Sequence, residues 1–143
     1  GPFGTQGTEP GKSISYYDKG PIMGLFLDFK IRHATQNKKS LDDVMRSLYW
    51  QYYKKLQRGF TDAEFQQACE AVAGISLSDT FEYVYTTKEL DYSTYLGYAG
   101  LQLKKESTVT QAGEKKVKVT IDRMETLNPL QQSILTSWLN EKP

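Results

Sequence analysis

The stretch from Pro21 to Ile31 constrains the fold most, because its apolar residues follow the period of an α-helix. Four of these residues have spacings of i, i+3, i+4 and i+7, and three more widen the apolar surface; together they are Ile22, Leu25, Phe26, Phe29, Met23, Leu27 and Ile31. A helix that is apolar over so much of its circumference is typical of the centre of a core. Pro21 suits the first turn, where its missing N–H costs no hydrogen bond. The polar stretch 35–39 should end this helix.

Capping signals predict the next helices. Ser40 with Asp43 is a capping-box-like start for a second helix, and Thr61 with Glu64 is a full capping box for a third. Gly74 is well placed as the left-handed stop of that third helix. Further apolar patterns predict a fourth helix over residues 77–85 and a short fifth helix over residues 91–99.

The second helix carries one continuous apolar stripe, which consists of Leu41, Val44, Met45, Leu48, Tyr49 and Tyr52. We expect the whole stripe to face the core. An alternative is an aromatic and basic binding face, formed by Trp50, Tyr52, Tyr53, Lys54 and Lys55. Because Tyr49 and Tyr52 already fit the core stripe, a solvated lysine flank is the simpler interpretation.

The C-terminal third mixes strand and helix signals. Apolar and polar residues alternate on both sides of a polar, linker-like stretch at 106–116, and the apolar positions are Leu101, Leu103, Val117, Val119 and Ile121. The last three predict a half-buried strand. Asn128 and Pro129 should start a final helix. The sequence therefore predicts a mainly α fold, a bundle of about five to six helices with a minor β element near residues 101–121.

Residue counts limit the chemistry of this chain. With 143 residues and 38% hydrophobic residues it is long enough for one core, and no apolar run is long enough to span a bilayer. A formal net charge of +1 gives no reason to expect nucleic acid or an anionic membrane as a partner. One histidine, His33, excludes an HExxH zinc site within the chain, and one cysteine, Cys69, excludes an internal disulfide. We expect His33 at a helix end and Cys69 as a small buried apolar residue.

An ordered set of short motifs runs through most of the chain. The motifs are SISYYDKG at 13–20, SLDDVMR at 40–46, RGFT at 58–61, the segment 74–81, and YSTYLGYAGLQL at 92–103. In this order and spacing they resemble the glycyl aminopeptidase family of gluzincin zinc aminopeptidases, over about residues 13–103. The tail, with Asn128-Pro129 and Trp138-Leu139, resembles the C-terminal helix of the same family.

Composition and resemblance together imply a division of the chain. Residues 1–12, rich in glycine and proline, are expected to be a flexible lead-in or a remnant of expression. Residues 13–103 would be the helical C-terminal part of the catalytic region, and residues 117–143 a strand plus the C-terminal helix. Residues 104–116 would be a linker where relatives carry a PDZ-like domain. The resemblance also implies that the parent's N-terminal β domain and zinc-binding segment are missing.

The resemblance carries one catalytic residue over to this chain. In gluzincins a tyrosine, one further residue and Lys-Gly open a helix, and the tyrosine O–H donates to the oxyanion of amide hydrolysis; Tyr17 has that place here. Tyr16 is the alternative if the register differs by one, and Lys19 could contact a substrate carboxylate or support the turn. On residue type alone, Tyr17 is one of ten tyrosines, most of which are expected at core edges. No residue of this chain is expected to bind metal.

These observations predict a fragment of a zinc metallo-aminopeptidase that, when whole, removes N-terminal glycine or other small residues from peptides. The chain alone should be inactive and form one wall of the substrate cleft, with zinc held by the missing part of the parent. The alternative is a non-catalytic helical binding module, in which a sugar or peptide groove is lined by Tyr83, Tyr85, Tyr92, Tyr95 and Tyr98. Loss of the zinc-binding segment should also leave the first helix partly exposed and favour weak self-association.

Overall fold

The computed structural model describes residues 16–86 and 90–140, without the side chains of residues 16–21, 84 and 85. It is mainly α-helical with one small antiparallel sheet, which confirms the predicted fold class. The elements in chain order are α1 (Tyr16–Ala34), α2 (Leu41–Leu48), a π-helical segment (Tyr49–Lys54), α3 (Asp62–Ala73), α4 (Ser78–Tyr85), α5 (Tyr92–Tyr98), β1 (Leu101–Val109), β2 (Lys115–Arg123) and α6 (Pro129–Leu139).

Helix α1 is the centre of the core, as its apolar circumference predicts. Phe26 and Phe29 on one side belong to a cluster with α5 and α6, in which the Phe29 and Trp138 rings meet edge to face at 5.4 Å. Leu27 and Ile31 on the other side belong to a second cluster with α2, α3 and α4. The apolar residues of α1 are thus buried between two layers. The expected exposed patch on α1 is wrong for residues 23–31, because both of its sides already have partners within this chain.

The start of α1 differs from the prediction, because the helix begins at Tyr16 and not at Pro21. A proline inside a helix removes one hydrogen bond, and its ring disfavours helical geometry in the preceding residue. That clash involves the Cβ atom of the preceding residue, and Gly20 has none. The helix can therefore extend N-terminally through the proline.

Helix α2 and the π-helical segment bury only part of the predicted stripe. Val44, Leu48 and Tyr52, four residues apart, face the core. Met45 and Tyr49, which were expected beside them, are exposed. The prediction was wrong for these two residues because contact with α1 and α3 covers a narrower strip of the helix than its apolar residues occupy.

Helix α3 has the predicted ends. The Thr61 hydroxyl accepts the Glu64 N–H at 3.1 Å, and the Glu64 carboxylate accepts the Thr61 N–H at 2.9 Å. Gly74 ends the helix with a left-handed φ of 74°. Both capping signals are confirmed, because the hydrogen bonds that they predict are local in sequence.

Strands β1 and β2 form a hairpin with a regular register from Leu101 opposite Arg123 to Val109 opposite Lys115. The stretch 104–116, predicted as a linker, forms the outer part of this hairpin and its turn. Val117, Val119 and Ile121 are exposed, so the predicted half-buried strand is wrong on burial and right on strand structure. Pairing between the two strands satisfies the backbone groups that face each other, and the outward groups of this exposed hairpin are open to water.

Candidate functional site

A pocket of about 410 Å3 opens where α1, α4 and α5 meet. Three of the five tyrosines predicted to line a groove contribute to it, one from α4 and two from α5. The pocket is lined by Lys30, Ser76, Asp79, Thr80, Tyr83, Asp91, Thr94, Tyr95 and Tyr98. The alternative interpretation of the sequence thus named three of the lining residues and none of the polar residues around them.

The other two tyrosines of that prediction do not join the described pocket lining. Tyr92 packs edge to face on Phe26, with ring centroids 5.5 Å apart, and so supports the core cluster of α1. The side chain of Tyr85 lies outside the described residues. Tyr92, Tyr95 and Tyr98 are spaced three residues apart on α5, so helical spacing alone does not distinguish Tyr92 from the two pocket tyrosines.

The base of the pocket is held by a buried hydrogen bond between α4 and α5. The hydroxyls of Thr80 and Tyr95 lie 2.6 Å apart, and both residues are buried. The Tyr95 ring stacks on Phe26 with centroids 5.0 Å apart and an interplanar angle of 6°. Burial raises the pKa of the Tyr95 phenol, so this group remains a neutral hydroxyl at physiological pH. Tyr95 is thus held by its ring against α1 and by its hydroxyl against α4.

The rim of the pocket carries charges of both signs. The Lys30 ammonium from α1 donates to the Tyr98 hydroxyl at 3.0 Å. Asp91 caps α5, because its two carboxylate oxygens accept the Thr94 N–H at 3.1 Å and the Thr94 hydroxyl at 2.7 Å. Asp79 stands exposed in the first turn of α4. The rim can therefore both donate hydrogen bonds to a ligand and accept them from it.

His33 extends the aromatic surface beyond the rim. Its ring stacks on Tyr98 with centroids 4.2 Å apart, and it lies in the last turn of α1 as predicted. Burial, and then the positive charge of Lys30, lower the pKa of His33 below its usual value. His33 is therefore mainly a neutral aromatic surface at neutral pH.

Tyr16, Tyr17 and Lys19, the site residues predicted from the resemblance, all lie in the first turns of α1. Their side chains are outside the described part of the chain. Lys30 of the pocket is thirteen residues after Tyr17, or about 20 Å along a helix at 1.5 Å per residue. The structure thus does not bring the predicted catalytic tyrosine and the pocket together.

A buried ion pair that the sequence did not predict lies in the last two turns of α1. Asp28 and Arg32 are both buried, and the Arg32 Nε donates to Asp28 Oδ2 at 2.9 Å. The other Asp28 oxygen accepts the Leu41 N–H at 2.9 Å, and Arg32 Nη1 donates to Asn37 at 2.9 Å. The pair ties α1 to the start of α2. Its only sequence signal is an acid and a base four residues apart on a helix that is otherwise largely apolar.

The single cysteine of the chain, Cys69, is chemically unreactive in the folded protein. Cys69 is fully buried in the cluster of α2, α3 and α4, as predicted. Burial, together with the nearby Glu70, raises the pKa of the Cys69 thiol to about 12. A thiol at that pKa has almost no thiolate near pH 7, so Cys69 acts as a packing residue.

Comparisons with known proteins do not assign this chain to a protein family. Comparison with known protein families, with curated proteins and with solved structures finds no match. Within residues 16–86 and 90–140, no group of three or more His, Cys, Asp or Glu side chains could hold a metal ion. In the same residues no helix has the length and hydropathy needed to cross a membrane.

Proposed function

We propose that this chain is the helical C-terminal part of a zinc aminopeptidase of the glycyl aminopeptidase type. The whole parent would remove N-terminal glycine or other small residues from peptides. The observation that carries the proposal is the place of Tyr17 in the first turn of α1, the helix on which both core clusters pack. In that role the Tyr17 O–H would donate to the oxyanion of amide hydrolysis, a contribution that depends on preorganised donors. The ordered motifs over residues 13–103 are the second support.

With a single histidine the chain cannot supply both imidazoles of an HExxH zinc site. The metal and the general base would belong to the missing part of the parent. This chain would contribute two residues to the active site of the parent. The Tyr17 O–H donates to the developing oxyanion, and Lys19 either contacts the substrate or supports the chain around it. The chain alone is accordingly an inactive wall of the cleft.

Two assays test this proposal. The isolated chain, given zinc and glycine amides, should show no turnover above a chelated control. When the chain is joined to the upstream HExxH segment of its own gene, Tyr17→Phe should lower kcat by about 10² to 10³, because one oxyanion donor is lost. Tyr53→Phe is the matched control, since this phenol is exposed on the π-helical segment. Retention of full activity by Tyr17→Phe, or absence of HExxH upstream, would overturn the proposal.

The second candidate is a binding module, and the observation in its favour is the pocket between α1, α4 and α5. Its tyrosine side chains and mixed polar rim suit a sugar ring or a short peptide, which combine apolar faces with many hydrogen-bonding groups. Binding of small sugars and dipeptides can be followed by amide chemical shifts. A binding site here predicts shifts centred on the residues that line the pocket in α1, α4 and α5, lost on Tyr98→Ala and kept on Tyr53→Ala. If millimolar ligands leave these amides unchanged, the pocket is a structural cleft.

A further inference from the structure

The β-hairpin leaves the outer side of strand β2 unpaired. Strand β1 begins in the core, since Leu101 belongs to the cluster of α1, α5 and α6. Strand β2 contacts chiefly β1 among the described elements, and its residues 115–119 are all exposed. At its end, Arg123 donates to Gln132 of α6. Because the sheet has two strands, the side of β2 that faces away from β1 is open before that point.

The register identifies the backbone groups on this open side. The Met124 N–H donates to the Gly100 carbonyl at 2.8 Å, and the Thr110 N–H donates to the Glu114 carbonyl at 2.8 Å. Both bonds join even-numbered residues at the two ends of one register. Hydrogen-bonded and non-hydrogen-bonded pairs alternate in an antiparallel ladder, so the odd-numbered residues of β2 direct their N–H and C=O groups outward. We call four of them the β2 edge: Lys115, Val117, Val119 and Ile121.

The side chains of the β2 edge are mainly apolar. Alternate residues of a strand share one face, so Val117, Val119 and Ile121 lie in a row on the same face as Lys115. The exposed fractions of the three apolar residues are 48%, 53% and 37%. Natural proteins usually cover or interrupt an edge as regular as this one. A further strand would cover the flanks of these side chains and satisfy the outward backbone groups.

The hairpin is strongly basic. Residues 101–123 include six Lys and Arg residues and three Asp and Glu residues, a formal charge of +3 in a chain whose total is +1. The two acids within the strands already have basic neighbours. Asp122 lies 3.9 Å from Lys104, and Glu106 is directly opposite Lys118. The positive charge that remains favours an acidic partner.

The same charge disfavours two other occupants of the β2 edge. Strand β2 has four bases and one acid, so pairing with a second copy would set two strands of charge +3 against each other. A membrane surface fits poorly, because residues 101–123 contain no Trp or Tyr, the residues that anchor at membrane interfaces. The turn at 110–113 also has no large apolar side chain to insert.

We propose that the β2 edge binds an acidic segment of another protein, which adds to the sheet as a third strand. The outward N–H and C=O groups of β2 supply the hydrogen bonds of this strand addition. Alternate residues of the partner should be apolar, opposite Val117, Val119 and Ile121. The residues between them should be acidic, opposite Lys116 and Lys118, because residues directly opposite share a face of the sheet.

The complex should be transient. One added strand buries less surface than a standard interface of about 1,600 Å2, and interfaces of that standard size have Kd values of roughly 10⁻⁶ M or lower. Binding by the β2 edge is therefore expected to be weaker than micromolar, and it should weaken further as salt screens the lysines.

A blocked peptide of alternating valine and glutamate, about seven residues long, is the probe. At millimolar peptide, amide hydrogen exchange of the 143-residue chain should slow at Val117, Val119 and Ile121. Exchange at Lys116 and Lys118 should be unchanged, because their N–H groups already point to β1. The same peptide with lysine in place of glutamate should bind about tenfold more weakly. Absence of protection by the acidic peptide, or equal binding of both peptides, overturns the proposal.

Proline substitution tests which edge is used. Val119→Pro removes one outward N–H and no bond between β1 and β2, so it should weaken binding of the acidic peptide about tenfold. Val109→Pro is the matched control, because the same register directs the Val109 N–H to the outer side of β1. This variant should bind normally. Loss of binding in Val109→Pro, with full binding in Val119→Pro, would show that the β2 edge is not the site.

Charge reversal tests the partner chemistry without a change in the backbone. Lys116→Glu should weaken binding of the acidic peptide about fivefold and strengthen binding of the lysine peptide, because Lys116 forms no ion pair within the described part of the chain. Lys55→Glu is the matched control, since Lys55 is exposed directly after the π-helical segment and gives the same change in net charge. If Lys116→Glu binds the acidic peptide as tightly as the original chain, the proposal is overturned, whether or not Val119→Pro folds.

Vesicles of phosphatidylcholine with phosphatidylserine separate a lipid surface from a protein partner. Sedimentation of the chain with these vesicles, reduced in Lys116→Glu and kept in Lys55→Glu, would assign the hairpin to a membrane and overturn the proposal. The expected result is no sedimentation with vesicles, together with protection of the β2 edge by the acidic peptide.

Discussion

Replacement of Arg32 by methionine removes one half of the buried ion pair that closes α1. Asp28 and Arg32 are 6% and 8% exposed, and their Oδ2 and Nε atoms lie 2.9 Å apart. Without the guanidinium, the Asp28 carboxylate would keep only the Leu41 N–H as its described donor. Loss of one partner from a buried pair typically lowers the free energy of unfolding by about 3–5 kcal/mol, since it leaves an uncompensated buried charge. That is a large part of the 5–15 kcal/mol that stabilises most domains.

A double variant separates charge from packing. In Asp28→Asn with Arg32→Met no buried charge remains, and the new amide oxygen can still accept the Leu41 N–H. We expect this variant to lose only about 1–3 kcal/mol, the cost of imperfectly satisfied buried polar groups, and so to be more stable than Arg32→Met alone. Arg46→Met is the matched control, because Arg46 pairs with Asp43 at 2.8 Å but its side chain is 70% exposed. It should change stability by less than about 1 kcal/mol.

Urea unfolding followed by far-UV circular dichroism measures all three variants. The midpoint should move while the slope m stays constant, since the surface exposed on unfolding is unchanged. If Arg32→Met loses no more stability than Arg46→Met, the pair at Asp28 behaves as a surface salt bridge. Burial would then add nothing to the contribution of this pair to stability.

Three further predictions concern single positions. The pKa of His33 is lowered in the folded chain, so the unfolded chain binds more protons near and below pH 6.5, and stability should fall as pH decreases through that value. Urea titrations at several pH values measure this pH dependence. His33→Phe should remove it and keep the ring stack on Tyr98. Cys69, with a pKa of about 12, should react with a thiol reagent at pH 8 only after unfolding, and a rapid reaction of the folded chain would contradict its burial. Gly100→Ala should lower the melting temperature by several degrees, since φ is 72° and the new Cβ would overlap Leu127, whereas a neutral change would show that this turn relaxes freely.

Helix ends were predictable because their signals are local. The capping box of Thr61 and Glu64 and the left-handed Gly74 bring together groups no more than four residues apart, so no tertiary contact is needed to recognise them. The centre of the core was also predictable, because a helix with apolar residues on most sides must be covered on most sides. The start of α1 was not, since Gly20 relaxes the rule that proline begins a helix.

Burial of a partly apolar helix face depended on its neighbours. Met45 and Tyr49 are as apolar in sequence as Val44 and Leu48, yet α1 and α3 reach only the latter pair. Alternation in the hairpin likewise failed to predict burial. Val119 belongs to an alternating apolar and polar pattern, yet it is exposed, and no layer packs on it within the described residues. Periodicity reports that a face is apolar; which element covers that face is set by where the rest of the chain lies.

The tyrosine pocket shows both contributions at one site. The sequence offered Tyr95 and Tyr98, two of five tyrosines, as the lining of a ligand groove only in its alternative interpretation. It contained no sign that Thr80 would meet the Tyr95 hydroxyl or that Lys30 would reach Tyr98, because these pairs are 15 and 68 residues apart. Helix periodicity and capping are local properties and can be derived from residue order. The polar rim of the pocket and the exposure of Met45 and Tyr49 depend on contacts between distant segments, and only the packed chain specifies them.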